Sequence, residues 1–454
     1  KVSIRAGKVE KVLDSILIGP PTTVNMTMFD IHYFGMADVE YPEGWVEELA
    51  VRWPVKALEV KKLKRIHFPE VIIPPRGTDT PAIRCTSTDD YEQQTGHACN
   101  GKQAAGLNWQ KALRDAGGQK HLALNLINIA NVKAGGFAES KDFGGCGALG
   151  RFPVLHHELG HALDVEDLNE EVLYPYRGTM HGVEKTTAGG YHIGPTWAFD
   201  PRQGQPGSEE GKPLFLPSRI PGNTVREIPG EWKSSPVMGG GGPAPEPGIH
   251  LKFYSDWSVR TMLEYLEKWT VVWDEEKNTY MEWNGWHQVY MHPRKNDGVT
   301  FPIERDVEVY SVMVAVSAVK EDCNYIYPVI GPYVSGLIDI YDPRVEEDRV
   351  RARKIRSLIG QWDISLRITQ GGKSKITMMP MHWTEDMSLQ DSEAYQTRAI
   401  NLPKRDGEIE KVELLLTPEA HINGLPKNPR VLYTLEGDEV KAKGDLETFS
   451  CNLG

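Results

Sequence analysis

Cysteine is scarce. Five occur in 454 residues (Cys85, Cys99, Cys146, Cys323 and Cys451), at spacings that match neither a zinc finger nor a CxxC redox pair. An odd count leaves at least one thiol unpaired within the chain, and Cys85 and Cys99 could close a short loop in an exported protein. Long apolar runs are missing as well. The longest, residues 122–132 and 309–319, fall well short of the ~20 residues that span a bilayer, which excludes a membrane-spanning helix. Basic clusters are absent: 51 Lys and Arg stand against 63 Asp and Glu, a net charge of −12, which argues against a nucleic-acid groove or a polybasic membrane patch. The chain opens at Lys1 with neither Met nor an apolar leader, as a processed or trimmed product would. One glycosylation triplet is present, Asn25-Met26-Thr27. Disorder is excluded by what is there, since 12 Trp, 17 Tyr and 11 Phe supply ample core material. At roughly 150 residues per domain the length suggests two or three domains.

Histidine is also sparse, with 14 in the chain, yet five of them (His156, His157, His161, His181 and His192) crowd into 37 positions. The flanking pattern places that cluster. Residues 23–31, 57–61 and 66–73 read as strands, and 102–116 as a helix closed by Gly117-Gly118. Residues 121–132 alternate Leu122, Leu124 and Leu126, fitting either a central strand or an edge to which an extended substrate could add as a strand. A glycine-rich loop follows, ending in Gly144-Gly145-Cys146-Gly147, and then a helix over 151–164 with Pro153 tolerated in its first turn. Residues 170–250 have weak periodicity. Ser255 is a plausible N-cap for a helix over 256–269 with Val259, Met262, Leu263 and Leu266 on its apolar face. Beyond about residue 300 the period changes to two, as in Val307, Val309, Ser311, Met313 and Ala315, or Trp362, Ile364, Leu366 and Ile368, which predicts a β-sandwich or similar module. The charged run 344–356 reads as a solvated helix or linker.

His157-Glu158-Leu159-Gly160-His161 is an HExxH motif on the predicted helix. Histidines at i and i+4 share one helical face and can reach one metal ion, with the glutamate beside them as general base. One catalytic Zn2+ with three protein ligands keeps a water whose pKa falls to about 7, and Glu158 is placed to take its proton. His156 points about 100° away from His157 and reads as packed rather than ligating. A third ligand is needed. A glutamate on a later helix is one option. In the other, the helix ends in a left-handed residue and the chain turns back to present a ligand six residues after the second histidine. Counting from His161 gives Asp164 at the turn, a residue that tolerates left-handed angles, and Asp167 as the ligand. Asp167 is the first choice; His181, His192 and the neighbouring acidic residues stay open. The second layout also calls for a methionine turn beneath the metal, which Met238 in Pro236-Val237-Met238-Gly239 offers.

Residues 24–340 resemble the StcE-type secreted zinc metalloproteases, metzincin-like enzymes that cleave mucin-type O-glycoproteins. The resemblance rests on residues 58–75 as paired strands ahead of the core, on the HELGH motif, and on Thr179-Met180-His181 followed by Thr196-Trp197-Ala198-Phe199-Asp200. It continues through Pro236-Val237-Met238-Gly239-Gly240, the helix over 254–269, and Asn324-Tyr325-Ile326-Tyr327-Pro328. The family reads HExxHxxGxxH, whereas this chain has Asp164 at the glycine and Asp167 at the third histidine. The family tyrosine that follows the third ligand and stabilises the oxyanion is Leu168 here, so Tyr174, Tyr176, His181 or Tyr191 would have to substitute. Trp197 and Asp200 would anchor the long loop under the site.

The expectation is therefore an α+β chain: a zincin-like catalytic domain over 1–300 with a β-rich N-terminal part, then a β-rich, sandwich-like domain over 301–454. It would be a secreted zinc endopeptidase acting on proteins, with O-glycosylated ones implied by the resemblance, and its oligomeric state is open. The alternative is a weak or inactive zincin-fold protein that binds glycoproteins.

Overall fold

The computed structural model describes residues 2–13, 20–34, 40–41, 43–87, 89, 100–116, 123–129, 137–138, 144–148, 152–167, 197–199, 215–217, 225–228, 231–234, 237–239, 254, 256–269, 271–277, 279–293, 304–354 and 361–452. A hairpin, β1 (Val2–Ala6) and β2 (Val9–Leu13), precedes the first long strand, β3 (Thr23–Tyr33). Helix α1 (Trp45–Ala50), strands β4 (Ala57–Phe68), β5 (Val71–Ile73) and β6 (Ile83–Cys85), and helix α2 (Asn100–Ala116) follow. Next come β7 (Ala123–Ile129), β8 (Phe137–Ala138), β9 (Gly144–Ala148) and helix α3 (Phe152–Ala162).

The last strand of the chain, β25 (Asp445–Asn452), completes a six-stranded sheet in the order β25-β4-β3-β7-β9-β8. Strands β4, β3, β7 and β9 run parallel, while β25 and β8 are antiparallel edges. Alternation along β3 sorts its side chains between two cores. Val24, Met26 and Met28 pack with α1 and α3 on one face, and Phe29, Ile31 and Tyr33 pack with α2 on the other. A bulge at Arg65 (φ 57°) gives β4 one extra residue against β3, so that Leu63 and Ile66 share a face three positions apart. β4 thus runs unbroken through the expected gap between 57–61 and 66–73, and the second expected strand is divided between the end of β4 and β5.

One further expectation is corrected: residues 144–147 are not loop but part of β9. Of the two options for residues 121–132 the structure has the central strand, with β7 enclosed between β3 and β9. β9 is a strand of small residues because α2 contacts it from one face and α3 from the other. Buried Gly144 and Gly145 let both helices approach.

Past α3, two short antiparallel pairs and a turn are described: β10 (Trp197–Phe199) with β11 (Phe215–Pro217), β12 (Val225–Ile228) with β13 (Glu231–Ser234), and a 3-10 turn over Val237–Gly239. Helix α4 (Asp256–Trp269) has the expected bounds; its proposed cap, Ser255, lies outside the described residues. A three-stranded sheet follows, β14 (Val271–Asp274), β15 (Thr279–Asn284) and β16 (Val289–Pro293).

The β-rich part comprises two four-stranded sheets. One holds β17 (Glu304–Ser317), β18 (Tyr325–Ile326), β19 (Ile330–Ile338) and β22 (Tyr395–Pro403). The other has the order β21-β20-β23-β24, formed by β20 (Ile364–Gln370), β21 (Lys373–Met379), β23 (Ile409–Leu416) and β24 (Arg430–Glu436). Tyr310, Val312, Val314 and Val316 of β17 share a core with Leu366, Val412 and Leu414, so the sheets pack face to face. Val309, Met313 and Ala315, on the other face of β17, enter the core beneath α2. Helix α5 (Glu346–Lys354), within the charged run, carries the ion pairs Arg353–Glu346 (2.9 Å) and Arg351–Asp348 (3.7 Å), and the short α6 (Ala420–Asn423) lies beside it. The molecule is thus a mixed α+β chain with a β-rich C-terminal part. The residue-300 boundary is bridged, because β25 returns to the first sheet.

Candidate metal centre

Helix α3 forms where Leu155, Leu159, Ala162 and Leu163 recur on one stripe, and all four are buried against Met26 and Met28 of β3. The two histidines lie off that stripe, one turn apart, and stay partly accessible, with rings 4.8 Å apart.

The helix stops by a Schellman arrangement. Val165 N donates to Gly160 O at 3.0 Å, Asp164 N donates to His161 O at 2.9 Å, and Asp164 takes the left-handed angle φ 71°. Val165 is then buried beside the helix it has just left. This reversal brings Asp167 back over the histidines, with Oδ1 3.3 Å from His157 Nε2 and 3.9 Å from His161 Nε2. Among the described residues, His157, His161 and Asp167 form the one group of three that could hold a metal ion.

Both rings are oriented by backbone. His157 Nδ1 donates to Val237 O at 3.1 Å, and His161 Nδ1 donates to Val165 O at 2.7 Å. A carbonyl can only accept, so in the neutral rings Nδ1 carries the proton and each Nε2 presents a lone pair. Two lone pairs and a carboxylate oxygen therefore converge, an arrangement that repels itself until a cation lies between them. The donor set fits zinc. Bonds of about 2.0–2.2 Å in a tetrahedron put donors roughly 3.3–3.6 Å apart, close to the separations seen.

The turn that carries Val237 also carries Met238, fully buried under the helix. An added Cβ on Gly160 would sit 2.6 Å from Met238 Sδ and 3.0 Å from the Tyr254 ring, so only glycine fits there without displacement. Tyr254 donates its hydroxyl to His156 O and stacks edge-on against the His156 ring at 4.6 Å. Burial, with the charge of Glu158 adding to it, keeps that hydroxyl far above the usual tyrosine range and hence protonated. His156 is packed, as expected, and Glu158 is buried beside the histidines. His181, His192, Tyr174, Tyr176, Tyr191 and Asp200 lie outside the described residues, as does Leu168, and Trp197 is placed only as backbone in β10. Val165 O, Val237 O and Tyr254 are site residues the motif does not reveal. Backbone acceptors carry no residue-type signature, and Tyr254 lies 93 positions beyond His161.

Residues 1–269 match the peptidase M66 family. The chain belongs to that family. The matched segment ends with α4 and contains the whole candidate centre. This M66 peptidase is also similar to dictomalleins of Dictyostelium discoideum. Dictomallein-2 is 24% identical across 92% of this chain and 75% of that protein. Dictomallein-4 is 25% identical across 82% of this chain and 66% of its own length, and dictomallein-3 is 23% identical across 91% and 74%. The alignment with dictomallein-2 covers far more than residues 1–269, so it takes in the β-rich part as well.

Proposed function

We propose that this M66 peptidase is a zinc endopeptidase of the zincin type, in which His157, His161 and Asp167 hold one zinc ion and Glu158 is the general base. The observation that carries the reading is the convergence of three electron-pair donors, two of them fixed in tautomer by Val237 O and Val165 O. Zinc held there would supply Lewis-acid polarisation of the scissile carbonyl and acidify an attacking water. The protein's part is positional. Glu158, adjacent to His157 in the helix, accepts the proton of the attacking water and passes it to the leaving amine. Met238 and Tyr254 floor the helix, so the histidines hold their angle while the bond breaks. His181, Tyr191 and Trp197 are kept as candidates for oxyanion or supporting roles. We place the catalytic unit within residues 1–300, completed by β25, and the β-rich unit over the remainder. O-glycosylated proteins outside the cell are the proposed substrates, supported by the StcE-type motif pattern.

The test follows cleavage of casein and of a mucin-like glycoprotein by wild type and Glu158→Ala. Cleavage should fall by at least ~100-fold in the variant. Stoichiometric zinc with neither substrate cut would instead favour a glycoprotein-binding protein, the reading that Leu168 in the family's tyrosine position supports.

A further inference from the structure

The sheet β14–β16 follows α4 and supplies none of the candidate centre's residues. Of the eleven exposed large apolar side chains among the described residues, four (Val272, Trp286, Val289 and Met291) belong to this short stretch. Trp286 is 92% exposed. The turn beneath it is tied down. Asn284 Oδ1 accepts from Trp286 N and His287 N, each at 3.0 Å, and Gln288 N donates to Asn284 O at 2.7 Å. Gly285 faces the side chain of Glu267 on α4, whose Oε1 would be 2.4 Å from an added Cβ. The indole is therefore presented to solvent on a fixed support.

Its surroundings narrow what it can take. Exposed Glu264, Glu267, Glu275 and Glu276 outnumber exposed Arg260, Lys268 and Lys277 in α4 and the segment after it, which gives no basic patch for anionic lipid heads or nucleic acid. Trp283 and Tyr290 pack edge to face on each other (5.1 Å, 65°) and so leave no slot between two rings for a proline. What is offered is one open indole beside exposed His287, Gln288 and carboxylates. The C–H face of a sugar ring can lie on such an indole, while its hydroxyls donate to carboxylate and amide oxygens around the rim.

We propose that Trp286 is the platform of a neutral-saccharide subsite, remote from the metal centre, that engages a glycan carried by the substrate. The proposal rests on the peptidase reading and adds to it a second point of contact. Tyr254, just before α4, touches α3, and Glu267 near its end touches the Trp286 turn. The intervening helix is about 20 Å long, which an extended polypeptide covers in roughly six residues.

The test uses the full chain carrying Glu158→Ala, with and without Trp286→Ala or Trp286→Phe. Each is titrated with galactose, glucose and N-acetylhexosamine conjugates of polyacrylamide, and separately with vesicles of neutral phosphatidylcholine. At least one sugar conjugate should bind, about tenfold or more weakly with Trp286→Ala and less weakened with Trp286→Phe. In the active chain, Trp286→Ala should raise KM on a glycosylated protein about 3- to 10-fold with little change in kcat. The difference from wild type should vanish when the same protein is stripped of its glycans. Binding to none of the conjugates, an equal KM change on both substrate forms, or Trp286-dependent capture by vesicles alone would overturn the proposal. The sugar titrations need no catalysis, so they report on the subsite even if the peptidase reading fails. Undiminished cleavage by Glu158→Ala would sink that reading and leave the subsite standing.

Discussion

Asp164 adopts a left-handed backbone where the related motif has glycine, and it does so in a Schellman turn whose two hydrogen bonds are both formed. Aspartate, like asparagine, bears that angle better than most side-chain-bearing residues because its short polar side chain can bond locally, whereas a β-branched residue clashes. Asp164→Gly should therefore keep the metal and hold or raise the melting temperature. Asp164→Val should cost about 1–2 kcal/mol and weaken zinc binding, as read by denaturant midpoints and metal titration. Equal behaviour of the two variants would show that the turn does not position Asp167. In one of the two possible layouts, the count from His161 points to Asp164 and Asp167, and the fold then brings Asp167 to the histidines where spacing leaves other candidates open. Val237 O and Val165 O were not legible, because any residue brings a carbonyl and only the fold decides where it points.

At the scale of elements, α3 depends on what lies beneath it. Met238 and Tyr254 close on Gly160 from a turn and from the residues just before α4, more than 70 positions later in sequence. Gly160→Ala should push α3 away from Val237 O and destabilise the fold by about 1–3 kcal/mol, as overpacking does. Urea midpoints measure this, and a neutral effect would mean that Met238 yields freely. Periodicity made α3 and the bounds of α4 legible, although α4 buries Met262, Tyr265 and Leu266 and leaves Leu263, expected on its apolar face, exposed. It failed at β9, whose Gly-Gly-Cys-Gly-Ala sequence has little strand propensity and is extended only because β7 and β8 pair with it on either side. The same pairing encloses β7, so among the described residues the sheet ends near α3 at β8.

At the scale of the whole molecule, the two halves are not independent. β25 pairs along β4 from Asn452↔Ala57 to Asp445↔Lys64, and Met313, Tyr325, Tyr327 and Tyr333 share a core with Phe68 and Trp109. Alternation in the C-terminal sequence marks strands but not which sheet they join, which is why the return of β25 was not legible. Removing residues 444–454 should expose the β4 edge, lower the melting temperature and promote association, as light scattering would detect. An unchanged, monomeric product would show that the first sheet stands without β25. The zinc content of the intact chain, finally, tests the account most directly. Purified wild type should carry one zinc per chain, Asp167→Ala should lose it, and His181→Ala should retain it. A wild type without stoichiometric zinc, or loss from His181→Ala with retention by Asp167→Ala, would contradict the account.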